Sequence, residues 1–167
     1  MKQLHIGIDN GYSGGLAAIG PDGKLTHRPV TVQELGNDRF LDVRGNLAIV
    51  ENFLATFGVA KEQAFVAYEQ SRKNPKFGAI GNFINGKNGE FWRVVLAMGQ
   101  FPHCSVNPQT WQRQMFAGVR GLDTKAMAAL VVQQRFPTVD YGDYNAEERR
   151  GVNDAILIAL WARENNK

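Results

Sequence analysis

The chain has one cysteine, Cys104, among 167 residues. That excludes an internal disulfide and a Cys-rich zinc site, and it fits a reducing, cytoplasmic setting. No apolar run reaches the roughly 18 residues needed to span a bilayer. The first residues, Met1-Lys2-Gln3-Leu4, enter a strand-like run without a signal-peptide core, so export is not expected. Repeats and low-complexity blocks are absent. A strong charge imbalance is also absent: the net charge is +3 with 44% hydrophobic residues, ordinary for a globular protein. The length predicts one domain, 1–167, large enough to bury a core.

What is there is acid where apolar elements begin and end. Asp9 ends the run Leu4-His5-Ile6-Gly7-Ile8, and Glu69 ends Phe65-Val66-Ala67-Tyr68. Asp154 opens an apolar helical run through Trp161, with Leu157, Ile158 and Trp161 at i+3, i+4 and i+7. A carboxylate on an apolar face is costly unless something pairs with it. A divalent cation can satisfy several at once, because hard cations take oxygen ligands.

Strands are predicted over Leu4 to Asp9, Leu16 to Ile19, Lys24 to Val30, Ala64 to Tyr68 and His103 to Val106. Pro21-Asp22-Gly23 is a turn between the second and third. Helices are expected over about 44–57, 90–98, 109–116, 124–136 and 147–163. Residues 70–88, rich in Gly and Asn, read as a long irregular segment. The order predicts an α/β domain whose five-stranded mixed sheet joins an antiparallel meander to two parallel strands. If the first and fourth strands are parallel neighbours, about 4.8 Å apart, Asp9 and Glu69 emerge at one edge. Gly7 and Ala67 then lie on the same faces as these acids and leave room for a close helix.

Basic residues gather near the acids. Arg72, Lys73, Lys76 and Lys87 follow Glu69; Arg113, Arg120 and Lys125 form a second group. Such an arrangement suits an anionic substrate. Trp92 reads as a dimer or core contact, and Trp111 and Trp161 as core. His5, His27 and His103 lack metal-ligand spacing.

Five segments, in order, resemble RuvC-type Holliday junction resolvases, most of all the compact RuvC-like resolvases of phages and prophages. They are Ile6-Gly7-Ile8-Asp9-Asn10-Gly11 with Tyr12 to Ala17, then Val66-Ala67-Tyr68-Glu69, Val106-Asn107-Pro108-Gln109-Thr110-Trp111, Asp123-Thr124-Lys125 through Phe136-Pro137, and Gly151-Val152-Asn153-Asp154 through Ala159. The resemblance implies a ribonuclease H-like fold, a homodimer, two Mg2+ or Mn2+ ions per site and paired nicking of four-way DNA junctions. It implies that Asp9, Glu69 and Asp154 hold the metals and that Lys125 steadies charge at the scissile phosphate. Arg72, Lys73, Lys76, Lys87, Arg113 and Arg120 are then expected on DNA, and Phe77 and Phe83 are candidates for stacking on junction bases. The family's fourth acid, one turn before the terminal Asp, is missing: Arg150 and Gly151 stand there. Glu147 is the nearest same-face substitute, about 10.5 Å along a helix, and Glu148 is next.

Three other readings share these residues. Gly7-Ile8-Asp9-Asn10-Gly11 with Ser13-Gly14-Gly15 also resembles the phosphate-binding turn of actin-like kinases, although there is no second Gly-rich loop. A junction-binding relative without cleavage and a ribonuclease H are the others.

Overall fold

The computed structural model describes residues 3–73, 75–76 and 78–166. Seven strands and five helices run in the order β1 (Leu4–Ile8), β2 (Gly15–Ile19), β3 (Leu25–Pro29), β4 (Val32–Leu35), β5 (Asp38–Leu41), α1 (Val43–Phe57), β6 (Ala64–Glu69), α2 (Ala79–Met98), β7 (His103–Val106), α3 (Pro108–Met115), α4 (Thr124–Arg135) and α5 (Ala146–Asn165). β3-β2-β1-β6-β7 form one sheet. β1 pairs antiparallel with β2 and parallel with β6, and β6 pairs parallel with β7. This is the mixed five-stranded α/β sheet that the sequence predicts.

β1 and β2 are buried throughout. Their continuous apolar runs reflect cover on both faces. On one face, Leu4, Ile6, Ile8 and Val66 pack with Val50 and Phe53 of α1 and Trp92 and Leu96 of α2. On the other, Ala17, Ile19 and Ala67 pack with α3, α4 and α5. Small residues line that second face because α5 lies directly on it. A Cβ on Gly7 would stand 2.2 Å from both Ala155 O and Ala159 N.

The helix starts follow local chemistry. Asp42, Asn107, Asp123 and Asn145 each accept backbone N–H bonds as N-caps. Pro108 fills the first turn of α3. At α5, the Glu148 side chain reaches back to the Asn145 N–H and closes a capping box.

The structure corrects three expectations. First, α2 begins at Ala79 rather than near Glu90. Its Gly and Asn residues are weak helix formers, but Asn88 and Gly89 are buried against the loop after β6, where a Cβ on Gly89 would strike Ser71 Oγ. Second, β4 and β5 form a separate two-stranded sheet. The Gly36-Asn37 pair between Leu35 and Asp38 was a hairpin signal. Third, α5 is buried on all sides from Gly151 to Leu160, not along one stripe. Trp92 is fully buried, the core contact of the two roles expected for it.

Candidate active site

The parallel register of β1 and β6 puts Ile8 opposite Tyr68. The next residues are Asp9 and Glu69, so both carboxylates leave the same sheet edge on adjoining strands. α5 crosses this edge and presents Asp154, which is only 7% exposed. α4 brings Lys125 to the same place, and its ammonium donates to Asp154 Oδ2. The four residues from distant parts of the chain thus meet at one end of the sheet.

Burial and mutual charge perturb all four groups. Asp9 is raised to about 6, first by burial and then by the charge of Asp154; Lys125 and the Gly11 N–H oppose this. Glu69 is raised to about 8 by burial and then by Asp9, while the Trp111 hydrogen bond pulls it down. Burial raises Asp154 as well, against the pull of Lys125. For Lys125, burial alone would lower the pKa, but Asp154, Asp9 and Glu69 outweigh it and the net shift is upward. One ammonium faces three carboxylates.

The chemistry of this donor set fits a divalent cation: oxygen ligands only, buried, and repelling one another. Among the described residues, no three His, Cys, Asp or Glu side chains converge tightly enough to grip one ion as they stand. The Lys125 ammonium takes part of that role at Asp154.

Glu147 accepts a hydrogen bond from Ser13 Oγ at 3.3 Å, so it faces the turn after β1 from the rim. Glu148 is spent on the α5 cap. Gly151 has a steric cause: a Cβ there would lie 2.0 Å from Ser13 O and 2.6 Å from Gly14 Cα. Gly14 and Gly151 pair as a β-bridge, so no acid can project from position 151 in this packing.

The other predicted residues are on loops and helix surfaces. Arg72, Lys73 and Lys76 are exposed on the loop after β6, and Phe83 is 71% exposed on α2. Phe77 lies outside the described residues. Lys87 packs its ammonium over the Phe40 ring at 4.7 Å and the Tyr12 ring at 5.7 Å. Arg113 is exposed on α3 and Arg120 in the loop before α4.

Two residues escaped the sequence reading as parts of the site. Trp111, read only as core, donates its indole Nε1–H to Glu69 Oε2 at 2.9 Å. The Asn107-Pro108 helix start, four residues earlier, was the signal that its ring faces the end of β6. Asn10 is buried, and its Nδ2 donates to Glu69 O at 2.7 Å and to Ser71 Oγ at 2.9 Å. Ser71 Oγ donates in turn to Asn85 O on α2. A buried Asn beside the acid that ends a strand was the available hint.

No family model and no curated protein matches the chain. Solved structures do. The chain is similar to Thermus thermophilus RuvC in complex with a Holliday junction substrate, at TM-score 0.53 and 16% identity, over 98% of this chain and 96% of that one. It is also similar to a second Thermus thermophilus RuvC structure, at TM-score 0.48 and 18% identity, over 97% and 96%. The chain therefore has the fold of RuvC, a five-stranded mixed sheet flanked by helices, matched end to end.

Proposed function

We propose that this protein is a divalent-metal-dependent endonuclease that cuts four-way DNA junctions, with the compact phage-type RuvC-like resolvases as its nearest functional kin. The observation that carries the reading is the meeting of Asp9, Glu69 and Asp154 at one sheet edge in a RuvC fold. Asp9 and Glu69 come from adjoining parallel strands, and Asp154 from the helix across them.

Asp9, Glu69 and Asp154 would hold Mg2+ or Mn2+, two ions per site, with Glu147 the candidate for a further contact. Bound metal supplies an activated water and stabilises the leaving oxygen in phosphodiester hydrolysis. The chain's own groups do the rest. Trp111 fixes one Glu69 oxygen and leaves the other for the site. Lys125 moves from Asp154 toward the phosphate, where an ammonium stabilises developing negative charge. Arg72, Lys73, Lys76, Arg113 and Arg120 take backbone phosphates, and Phe83 offers a stacking surface. Lys87 stiffens the wall made by Tyr12 and Phe40.

A four-way junction has two symmetry-related cut sites, which a two-fold dimer matches. The α2 face with Phe91, Val94, Val95 and Met98 is the proposed contact, and Val94 and Met98 are exposed on it.

The deciding experiment is cleavage of a synthetic four-way junction beside duplex, flap and RNA–DNA hybrid controls, with Asp9→Asn as partner variant. We expect junction cleavage by the wild type. Asp9→Asn should bind the junction, keep the fold, and cleave at least about 100-fold more slowly. Near wild-type cleavage by Asp9→Asn would sink the metal-site reading. Binding with no cleavage by the wild type would favour the non-cleaving relative, a reading to which the closed Gly14–Gly151 contact lends weight.

A further inference from the structure

Beside Lys125 a cleft of about 780 Å³ opens between α4 and the start of α5. None of the roles above uses it. Its charged lining is Lys125, Arg149 and Arg150 against Asp123 alone. Asp123 is already occupied, since its Oδ1 caps α4 by accepting from Lys125 N and Ala126 N. Arg149 is braced: its Nε donates to Tyr144 O at 2.8 Å, and its guanidinium lies over the Tyr141 ring. Arg150 is exposed on the lip. The floor holds Asn153, only 6% exposed. Its Oδ1 accepts from the Tyr141 hydroxyl, and among the described residues nothing accepts from its amide N–H groups. With an amide at its floor and Lys125, Arg149 and Arg150 on its walls, the cleft is rich in donors and positive charge, which suits an acceptor-rich, anionic ligand.

We propose that this cleft seats a backbone phosphate of the bound nucleic acid, next to the phosphate at the carboxylates, with Arg150 and Asn153 as its contacts. This rests on the nucleic-acid reading above. The cleft starts at Lys125, whose ammonium bonds Asp154, so it adjoins the carboxylate site rather than standing apart from it. A single strand leaving the site along this line puts successive phosphates first at Lys125 and then at Arg150. A guanidinium takes two phosphate oxygens through parallel N–H donors. Arg150 thus has a use of its own at the position where the resolvase pattern carries an acid.

The test is binding of a four-way junction and of a single strand, measured across salt, by the wild type, Arg150→Ala, Arg150→Glu and the control Lys24→Ala. Lys24 is exposed, paired with Asp22 and not part of the cleft's lining. Arg150→Ala should weaken binding about threefold or more and lower the slope of log K against log salt by about 0.9. Arg150→Glu should weaken it further, and Lys24→Ala should leave it unchanged. Should Arg150→Glu fail to fold, Arg150→Gln is read in its place. Wild-type affinity and slope in the Arg150 variants would overturn the cleft proposal alone, because Asp9→Asn still decides the nuclease reading. A wild type that binds no nucleic acid would overturn both. Arg150-dependent thermal stabilisation by ATP, without any Arg150 effect on DNA, would assign the seat to a mononucleotide and overturn the proposal too.

Discussion

α2 and α5 are both 20 residues long and lie on opposite faces of the same sheet. α5 is sealed from Gly151 to Leu160, and its backbone rests on Gly7 and Gly14. α2 is anchored through Asn88, Gly89, Trp92 and Leu96, and its outer side leaves Ile80, Phe83, Val94 and Met98 to solvent. The same sheet therefore holds one helix whose surface is consumed within the chain and one that leaves several apolar side chains in solvent. The difference teaches where change is tolerated. On α5 even a methyl group has no room. On α2 a charge can replace an apolar side chain with little effect on the fold.

The sharpest way to break this contrast is Gly7→Val. The new Cβ meets α5 backbone at 2.2 Å, and backbone cannot rotate away. We expect destabilisation of about 3 kcal/mol, the upper end for overpacking, seen as a lower urea midpoint. Trp111→Phe should come next. It keeps the ring buried but removes the hydrogen bond to Glu69, at a cost of about 1.5–3 kcal/mol if Glu69 is ionised. Glu69 should then titrate still higher, and cleavage should need more metal and higher pH. An unchanged metal requirement would make Trp111 a packing residue only.

The third test uses pH in the absence of metal. Glu69 binds its proton more tightly when folded, with a pKa raised from 4.5 to about 8. Where the folded state holds more protons than the unfolded one, stability falls as pH rises. Asp9 and Asp154 act in the same direction. His5 and His27 are lowered mainly by burial and act oppositely, but only below their ordinary 6.5. Between pH 6.5 and about 8 the Glu69 contribution stands clear of them. In EDTA the wild type should lose stability across that window, Glu69→Gln should lose less, and added Mg2+ should restore the wild type alone. Parallel pH profiles for the two proteins would contradict the cluster.

The smallest effect on stability belongs to Met98→Asp on α2, within about 0.5 kcal/mol. Its effect should appear instead in self-association. Sedimentation should show a dimer for the wild type and a monomer for the variant. A monomeric wild type with and without junction DNA would remove α2 as the contact.

Much of this is legible in the sequence. Alternation of burial does not mark β1 or β2, yet continuous apolar runs bounded by Asp9 and by Gly20-Pro21 placed them within a residue. Gly7 announced the close helix, because a lone Gly in a strand has few other uses. The start of α2 was hidden for a physical reason. Gly81, Gly86 and Gly89 lower local helix propensity, and contacts distant in sequence, with Ser71 and Asn10 among them, offset it. Trp111 was hidden for another: burial and hydrogen bonding are compatible in an indole, and sequence spacing shows only the burial. The vacancy of an acid at position 151 was visible. Its cause, the backbone of Ser13 and Gly14 pressed against the helix, was not.

The Gly14–Gly151 bridge ties the first turn of the chain to its last helix. Closing a loop that long has an entropic cost that must be met before the contact contributes, and topologies rich in such contacts fold slowly. During synthesis Asp9 and Glu69 emerge early, on strands whose α5 face is still bare. They gain Asp154 only when α5 has left the ribosome and docked. A truncated product ending before residue 146 would carry two of the three acids on an open apolar sheet. Such a fragment should aggregate rather than assemble the acidic cluster.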